Sequence, residues 1–312
     1  MKTVSIVTPM YNEAGNIDIF FEKVGALSFP GCNVEIVVVN DGSRDNTLEL
    51  LKERLPNHGN LKIVNLARNF GQEAAIWAGV ENTVGDAIIV MDADMQDPPE
   101  LLAQMVAKWQ EGYDVVNAHR KNRKSDSLMK RKTAKFYYKT LNRLSPKVKY
   151  PVNVNNFRLI SRRVVEVVAA FPSNEKMFRN AVAQAGFKTA SIDFTREKRH
   201  AGKSSFNLGS MIRLSFAGIA DASVKPLHFA FTWSILFTLL GFGWSAFTVV
   251  AYALELPIAF YSWFNYVGLL SAVMFFAGII LLVQSINGYY LGKCYTEIKG
   301  RPMYIVEGVY KS

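Results

Sequence analysis

Residues 87–100 read Ala87-Ile88-Ile89-Val90-Met91-Asp92-Ala93-Asp94-Met95-Gln96-Asp97-Pro98-Pro99-Glu100. The apolar run at 87–91 predicts a strand that is buried on both faces, as in a parallel sheet covered by helices. The two prolines before Glu100 are typical of a helix start, because proline is tolerated in the first turn. The stretch therefore predicts a strand, a short acidic loop and a helix over 98–111.

The same alternation of strand and helix patterns continues on both sides of this stretch. Apolar runs predict further strands at residues 4–8, 34–39, 61–66 and 114–118. Helical spacing and start signals predict helices at residues 13–27, 45–55 and 72–84. This alternation predicts an α/β fold with a Rossmann-like, mostly parallel sheet, whose ligand binds beyond the carboxyl ends of the strands.

Polar clusters follow three of the predicted strands. Tyr11-Asn12-Glu13, Asn40-Asp41-Gly42-Ser43 and Asp92-Ala93-Asp94 all fall at carboxyl ends, so they are expected to form one crevice. As the chain turns after its strand, Asp92 and Asp94 can both reach one ligand, and Gln96 adds an oxygen. Carboxylate and amide oxygens of this kind suit Mg²⁺ or Mn²⁺, which bind through one or two carboxylates plus substrate phosphates.

Composition divides the chain into a basic, ordinary globular part and an apolar part. The 312 residues carry a net charge of +10, and the mean hydropathy is +0.08. Residues 226–287 contain no Lys or Arg and one acid, Glu255, which indicates a membrane anchor. Two cysteines cannot build a disulfide scaffold. The chain lacks a P-loop and a Gly-x-Gly-x-x-Gly motif, and no recognised nucleic-acid module suggests a nucleic-acid partner.

The membrane segments follow from the charge pattern. Two spans are predicted over 227–254 and 264–287, after an interfacial amphipathic helix over 205–225. The link at 255–263 has no basic residue, whereas Lys225 and Lys293 flank the outer ends, so both termini are expected in the cytoplasm. The basic, aromatic segment 120–149 is expected to lie against the lipid bilayer.

The motifs together resemble those of family 2 glycosyltransferases with the GT-A fold. They are Ser5-Ile6-Val7-Thr8-Pro9-Met10-Tyr11-Asn12-Glu13, Val39-Asn40-Asp41-Gly42-Ser43, Arg68-Asn69-Phe70-Gly71-Gln72-Glu73 and the stretch from Met91 to Glu100. The closer resemblance is to the polyprenyl-phosphate branch, meaning bactoprenol glucosyltransferases and dolichyl-phosphate mannose synthases. It implies four segments: a GT-A domain at 1–204, the interfacial helix at 205–225, a two-helix anchor at 226–290 and a cytoplasmic tail at 291–312.

The resemblance also implies roles for individual residues. Base and ribose of a nucleotide sugar would be held by Pro9, Tyr11, Glu13 and Asp41. Asp92 would lie near the ribose or the metal, and Asp94 and Gln96 would hold the divalent ion. The acceptor phosphate would be held by Arg120, Arg131 and Lys135, and Arg199 would close near the diphosphate in the loop Arg199-His200-Ala201-Gly202-Lys203-Ser204-Ser205.

One motif departs from the family pattern. The family usually carries Gly-Asp-Phe-Arg-Leu, but here Asn156 precedes Phe157-Arg158-Leu159. An amide cannot act as a base, although it can still hydrogen-bond a sugar hydroxyl or a phosphate. A phosphate monoester is already anionic at neutral pH, so Asn156 is compatible with catalysis on a lipid phosphate.

The resulting expectation is an integral protein of the bacterial inner (plasma) membrane that contributes to a cell-envelope glycan. It would transfer a single hexose, with inversion, from UDP-glucose or a related UDP-sugar to polyprenyl (undecaprenyl) phosphate at the cytoplasmic face. One alternative is a processive polysaccharide synthase, which would carry a Gln-x-x-Arg-Trp motif and more spans. The other is a catalytically impaired, membrane-bound sugar-nucleotide-binding protein. Association into a homo-oligomer is left open.

Overall fold

A computed structural model describes residues 1–121, 139–145, 148–171, 177–195, 219, 223, 225–254 and 267–312. Arg131, Lys135 and Arg199 lie outside the described residues. The same holds for the predicted link at 255–263 and for almost all of the predicted interfacial helix. The chain divides into two compact units, Met1–Asp221 with Arg301–Ser312, and Ala222–Gly300.

The first unit is built around an eight-stranded sheet of described residues, in the order β7-β5-β6-β4-β1-β2-β3-β8. Its strands are β1 Lys2–Met10, β2 Cys32–Asn40, β3 Leu61–Leu66, β4 Ala87–Val90, β5 Val115–Arg120, β6 Val154–Ser161, β7 Thr189–Phe194 and β8 Val306–Lys311. Its helices are α1 Ile17–Val24, α2 Thr47–Arg54, α3 Gln72–Glu81, α4 Leu101–Gln110, α5 Arg162–Ala169 and α6 Phe178–Ala185.

The centre of the sheet is parallel. β4, β1, β2 and β3 are parallel neighbours, and β5 pairs in parallel with β7. β6 and β8 run antiparallel to the strands beside them. The prediction of a mostly parallel, GT-A-like α/β sheet is confirmed. The described strands and helices begin and end within a few residues of the bounds predicted for the first 120 residues.

Helices cover both faces of the sheet, which explains the continuous apolar runs of the central strands. On one face α1, α2 and α4 pack against side chains such as Ile6 and Ile36. On the other, α3, α5 and α6 pack against side chains such as Val7 and Val37. Because α1 buries Ile17, Phe20, Phe21 and Val24, its sequence repeats at the helical spacing of three and four residues.

Helix α3 is buried on all sides and lies close to the sheet. Every residue from Ala74 to Val80 is buried, since α3 contacts β1 and β2 as well as α5 and α6. A Cβ at Gly79 would meet Val7 Cγ1 at 2.3 Å and Val39 Cγ2 at 2.9 Å. A glycine is therefore needed for this close approach of α3 to β1 and β2.

The last strand, β8, comes from the end of the chain. It pairs antiparallel with β3, and Ala67 N–H donates a hydrogen bond to Ile305 O at 3.0 Å just before it. Tyr304 Oη donates to a carboxylate oxygen of Glu81 on α3. Residues 301–312, expected as part of a tail, thus contribute a strand to the first unit.

The second unit contains two long apolar helices, α7 Lys225–Ala253 and α8 Val267–Ile298. Among the described residues one stretch, Val273–Ile298, is long and apolar enough to cross a membrane, with a mean hydropathy of 1.5. A shorter apolar stretch, Leu227–Gly241, lies in α7. Within this unit the rings of Phe237 and Phe276 meet edge to face at 6.2 Å. Two membrane spans remain a prediction.

Candidate active site

Three loops meet at the carboxyl edge of the parallel strands. Residues 11–13 follow β1, residues 41–43 follow β2, and residues 91–97 follow β4. β1 lies between β2 and β4, with Met10 paired to Asn40 and Val7 paired to Val90. The three polar clusters predicted to form one crevice are therefore on adjacent strands and at the same edge.

The first two loops are joined by hydrogen bonds. Asn12 N–H donates to Ser43 Oγ at 3.0 Å, and Arg44 N–H donates to Asn12 Oδ1 at 2.8 Å. Glu13 N–H donates to Thr47 Oγ1 at 3.1 Å. Asn12 has a φ of 55°, in the left-handed region that asparagine enters more readily than most residues. This turn leaves the preceding side chain, Tyr11, 40% exposed at the carboxyl edge of the sheet.

Asp41 organises a further loop, at 69–71. Its Oδ1 accepts a hydrogen bond from Phe70 N–H at 2.7 Å, and its Oδ2 accepts from Gly71 N–H at 3.0 Å and Asn69 Nδ2 at 3.1 Å. Burial raises the pKa of the Asp41 carboxyl, because the two backbone hydrogen bonds and the Arg68 charge offset only part of the desolvation. Asp41 thus fixes the chain that leads into α3, in addition to the predicted contact with a nucleotide.

The acidic loop after β4 is held by hydrogen bonds between its own residues and by one from α3. Asp92 Oδ1 accepts a hydrogen bond from Gln72 Nε2 at 2.9 Å, and Asp92 N–H donates to Asp97 Oδ2 at 3.3 Å. Asp94 is 5% exposed, and its Oδ1 accepts from Gln96 N–H at 3.2 Å. Met95 has a φ of 56°. A left-handed methionine is uncommon, so the loop is held in a strained shape by its surroundings.

The donor set of this loop fits a divalent ion that a substrate helps to bind. Across the described ranges, no three His, Cys, Asp or Glu side chains converge as a protein-only metal site. Asp92 and Asp94 offer two carboxylates, and Gln96 offers an amide oxygen. Mg²⁺ and Mn²⁺ accept oxygen ligands of this kind, and Mg²⁺ commonly completes its coordination with phosphate oxygens and water.

Asn156 lies beside this loop on β6. Arg158 pairs with Val90 at the end of β4, and Asn156 precedes Arg158 by two residues in the direction of the Asp92 loop. Asn156 Nδ2 is 3.5 Å from Glu73 Oε1, and Glu73 Oε2 accepts a hydrogen bond from Phe178 N–H at 2.7 Å. The amide of Asn156 therefore faces a carboxylate of α3.

The sequence matches the model of glycosyl transferase family 2 over residues 5–168. This chain belongs to glycosyl transferase family 2. An uncharacterised glycosyltransferase of Synechocystis is 35% identical, over 98% of this chain and 95% of that protein. The prophage bactoprenol glucosyl transferase homolog of Escherichia coli is 34% identical, over 99% of each chain. The bactoprenol glucosyl transferase of Shigella phage SfX is 34% identical, over 97% of this chain and 98% of that protein.

Solved structures show the same fold. Glucosyl-3-phosphoglycerate synthase from Mycobacterium tuberculosis, in complex with Mn²⁺, UDP and glucosyl-3-phosphoglycerate, superposes with a TM-score of 0.54 at 18% identity. The match covers 70% of this chain and 78% of that one. The resemblance drawn from the motifs is confirmed, and the chain is a glycosyltransferase.

The predicted roles of individual residues in this family 2 enzyme stay predictions. The structure brings the segments that carry Pro9, Tyr11, Glu13, Asp41, Asp92, Asp94 and Gln96 to one edge of the sheet. Arg120 is 9% exposed at the end of β5, and its N–H donates to Asn153 O on the segment that leads to Asn156. Arg131, Lys135 and Arg199 lie outside the described residues.

Three residues of the site were not singled out from the sequence. Gln72, Glu73 and Asp97 each contact a predicted site residue or its strand. All three occur inside the quoted motifs, so their position in the motif was the available signal. Gln72 and Glu73 contact residues that are distant in the chain, and Asp97 contacts Asp92 across a turn. Sequence spacing alone therefore did not identify these three residues.

Proposed function

We propose that this family 2 enzyme transfers one glucose from UDP-glucose to a polyprenyl phosphate, with inversion at the anomeric carbon. The observation that carries the proposal is the identity of 34% with bactoprenol glucosyl transferases over 97–99% of the chain. Those alignments extend through the apolar segment after residue 225 as well as through the sheet. The polar and acidic side chains of the loops after β1, β2 and β4 are of the kinds that such a donor would need, which supports the proposal.

The donor would bind across the three loops. Pro9, Tyr11, Glu13 and Asp41 would hold the base and ribose, and the diphosphate would lie at the Asp92 loop. Asp92, Asp94 and Gln96 would hold a Mg²⁺ or Mn²⁺ ion together with the diphosphate oxygens. When bound, such an ion neutralises charge on the departing UDP. Asp92 accepts a hydrogen bond from Gln72 and Asp94 is buried, and both features would help to hold the loop in shape for the donor.

The reaction needs no strong base on the protein. An oxygen of the lipid phosphate forms the new bond to the anomeric carbon, and the bond to UDP breaks with its electron pair on the β-phosphate. Because the phosphate monoester is already an anion near neutral pH, no proton has to be removed from it. A neutral Asn156 also suits its neighbour, since an acid in its place would set a second carboxylate against Glu73.

Features of the chain that suit a membrane surface support a lipid phosphate as the acceptor. A polyprenyl chain stays in the bilayer, so its phosphate is presented at the membrane surface. The apolar stretch Val273–Ile298 and the basic segment at 120–149 are the features expected of a protein that works at such a surface. We place the crevice and both termini on the cytoplasmic side, where nucleotide sugars are available.

A labelled-sugar assay tests the proposal. The full chain, in detergent with Mn²⁺, is given radiolabelled UDP-glucose and undecaprenyl phosphate, and the organic phase is analysed. We expect an extractable lipid that releases a single glucose on mild acid hydrolysis. Label in a water-soluble polymer would instead indicate a processive synthase, and label that stays in UDP-glucose would contradict transfer.

Asn156 favours a second candidate, a sugar-nucleotide-binding protein that has lost catalysis. The wild type and Asn156→Asp are compared for UDP binding and for turnover in the same assay. Transfer by the wild type supports the enzyme. UDP binding without turnover in the wild type, with turnover gained by the Asp variant, would establish the binding protein instead.

A further inference from the structure

A row of hydrogen bonds links the last strand to the loop after β2. Asn65 Nδ2 donates to Glu307 Oε2 at 2.7 Å, and Asn40 Nδ2 donates to Asn65 Oδ1 at 2.6 Å. Ser43 N–H then donates to Asn40 Oδ1 at 3.3 Å. Asn40 is 2% and Asn65 4% exposed, so their amide groups depend on protein partners more than on water.

A β-bulge places Glu307 on this row. Leu66 pairs with Val306 while Asn65 pairs with Gly308, so β8 carries one extra residue, Glu307, between two pairs. An extra residue of this kind turns a side chain out of its regular alternation. Glu307 is exposed on the edge strand, yet its carboxylate reaches the buried amide of Asn65.

All three hydrogen bonds run in the same direction, toward Glu307. A carboxylate has only acceptor oxygens, whereas an asparagine amide can turn either its oxygen or its NH₂ group to a partner. Glu307 therefore requires the NH₂ group of Asn65, which leaves the Asn65 oxygen for the NH₂ group of Asn40. The Asn40 oxygen is then left for the Ser43 N–H.

The row ends between two of the loops that form the crevice. Ser43 Oγ accepts a hydrogen bond from Asn12 N–H, and Asp41 lies two residues before Ser43. If the amides were reversed, the NH₂ group of Asn40 would face the Ser43 N–H, donor against donor. Two donors that face each other leave the partly buried Ser43 N–H without its acceptor, so the turn at 41–43 would shift.

We propose that Glu307 is a positioning residue for the nucleotide site, which it controls by setting the orientation of the Asn65 and Asn40 amides. The inference rests on the proposed binding of a nucleotide sugar at the Asp41 loop. It assigns a role in donor binding to a strand that follows the apolar unit in the chain, far in sequence from the loops after β1, β2 and β4.

Two substitutions of Glu307 distinguish reversal of the Asn65 and Asn40 amides from simple loss of the hydrogen bond between Glu307 and Asn65. Glu307→Lys offers only donors, so it favours the reversed amides, and its exposed position accommodates the side chain. Glu307→Gln can still present an acceptor oxygen to Asn65 and so permits the native orientation. Glu53→Lys, at an exposed residue of α2, makes the same change of charge away from the row and is the matched control.

The measurements use the full chain in detergent with Mn²⁺. We expect Glu307→Lys to raise the Kd of UDP and the KM of UDP-glucose by about tenfold, equivalent to one misplaced hydrogen bond, with a smaller change in kcat. Glu307→Gln and Glu53→Lys should stay within about twofold of the wild type. Lys and Gln variants that bind UDP equally, or a Lys variant that loses kcat with an unchanged KM, would overturn the inference.

Amide hydrogen exchange, measured without nucleotide, tests the role of Glu307 independently of the proposed function. The Ser43 amide should exchange faster in Glu307→Lys than in Glu307→Gln or the wild type, because its acceptor has turned away. Equal exchange at Ser43 in all three proteins overturns the role of Glu307 whatever the ligand. A wild type that does not bind UDP contradicts the proposed function, and this result is visible before any variant is made.

Discussion

Asp41 illustrates how one carboxylate can organise a site. Both of its oxygens are used by the loop at 69–71, which turns directly into α3. A Cβ at Gly42 would lie 2.3 Å from the carbonyl carbon of Arg68, so the loop and the turn after β2 are packed backbone against backbone. Asp41 therefore contributes to the crevice first through the shape of the chain around it.

Replacing Asp41 with asparagine should weaken both the fold and donor binding. The NH₂ group of Asn would face a backbone N–H of Phe70 or Gly71, and hydrogen bonds to a charged group would be lost, at a cost of about 2–3 kcal/mol. Chemical unfolding followed by tryptophan fluorescence measures the stability, and calorimetry measures UDP binding. Stability equal to that of the wild type would contradict the organising role; Glu22→Gln, at an exposed residue of α1, is the control.

Asp94→Asn should leave the fold intact and remove turnover. Asparagine keeps one oxygen but loses the charge that a divalent ion requires, so we expect kcat to fall by about 100-fold or more. Transfer to lipid phosphate is measured across a Mn²⁺ titration, with circular dichroism to verify folding. Wild-type turnover at saturating Mn²⁺ would show that Asp94 is not a ligand. Glu111→Gln, at a residue of the exposed pair with Lys108, serves as the unaffected comparison.

At the scale of elements, the two ends of the central strands differ. The carboxyl ends carry the crevice, whereas the amino ends carry a structural polar cluster. Glu35 on β2 accepts hydrogen bonds from Lys62 Nζ at 2.8 Å, from Ser5 Oγ at 2.5 Å and from Val84 N–H at 2.9 Å. Burial alone would raise the pKa of Glu35, but these hydrogen bonds and the Lys62 charge bring it below its ordinary value of 4.5.

A lowered pKa makes this cluster sensitive to acid. The stability contributed by ionised Glu35 is fully present above pH 4.5 and is lost as the pH falls through the lower pKa of the folded state. Glu35→Gln should lower the free energy of unfolding by about 2 kcal/mol at pH 7, and the difference should shrink in acid. Denaturant unfolding of both proteins, at pH 7 and below pH 4.5, measures this difference in the free energy of unfolding. A pH-independent difference would contradict the assignment.

At the scale of the whole molecule, the chain leaves the sheet, forms the apolar unit and returns to the sheet. Residues on both sides of the second unit, Met1–Asp221 and Arg301–Ser312, belong to one compact unit. One folded unit lies on one side of a membrane. Any membrane crossing between these segments would therefore occur an even number of times. Two spans stay a prediction, since one candidate stretch stands out among the described residues.

This topology can be tested by labelling. In a Cys294→Ser background, a cysteine placed at Ser262 in the predicted link should react with a membrane-impermeant maleimide in intact spheroplasts. A cysteine at Ser312, in the unit that contains the crevice, should react only after the membrane is opened. Protection of position 262 until lysis would contradict two crossings.

The sequence by itself determined the α/β alternation, the acidic loop after β4, the apolar segment and the family. These are local properties, since strand and helix patterns and strand-end motifs depend on neighbouring residues. Only the tertiary structure decided that 306–311 completes the sheet beside β3 and that Glu73 faces Asn156. It also decided that Asn65 donates a hydrogen bond to Glu307 and accepts one from Asn40. Each of these contacts joins residues far apart in the chain, and their partners are chosen by sheet order and register, which no local pattern encodes.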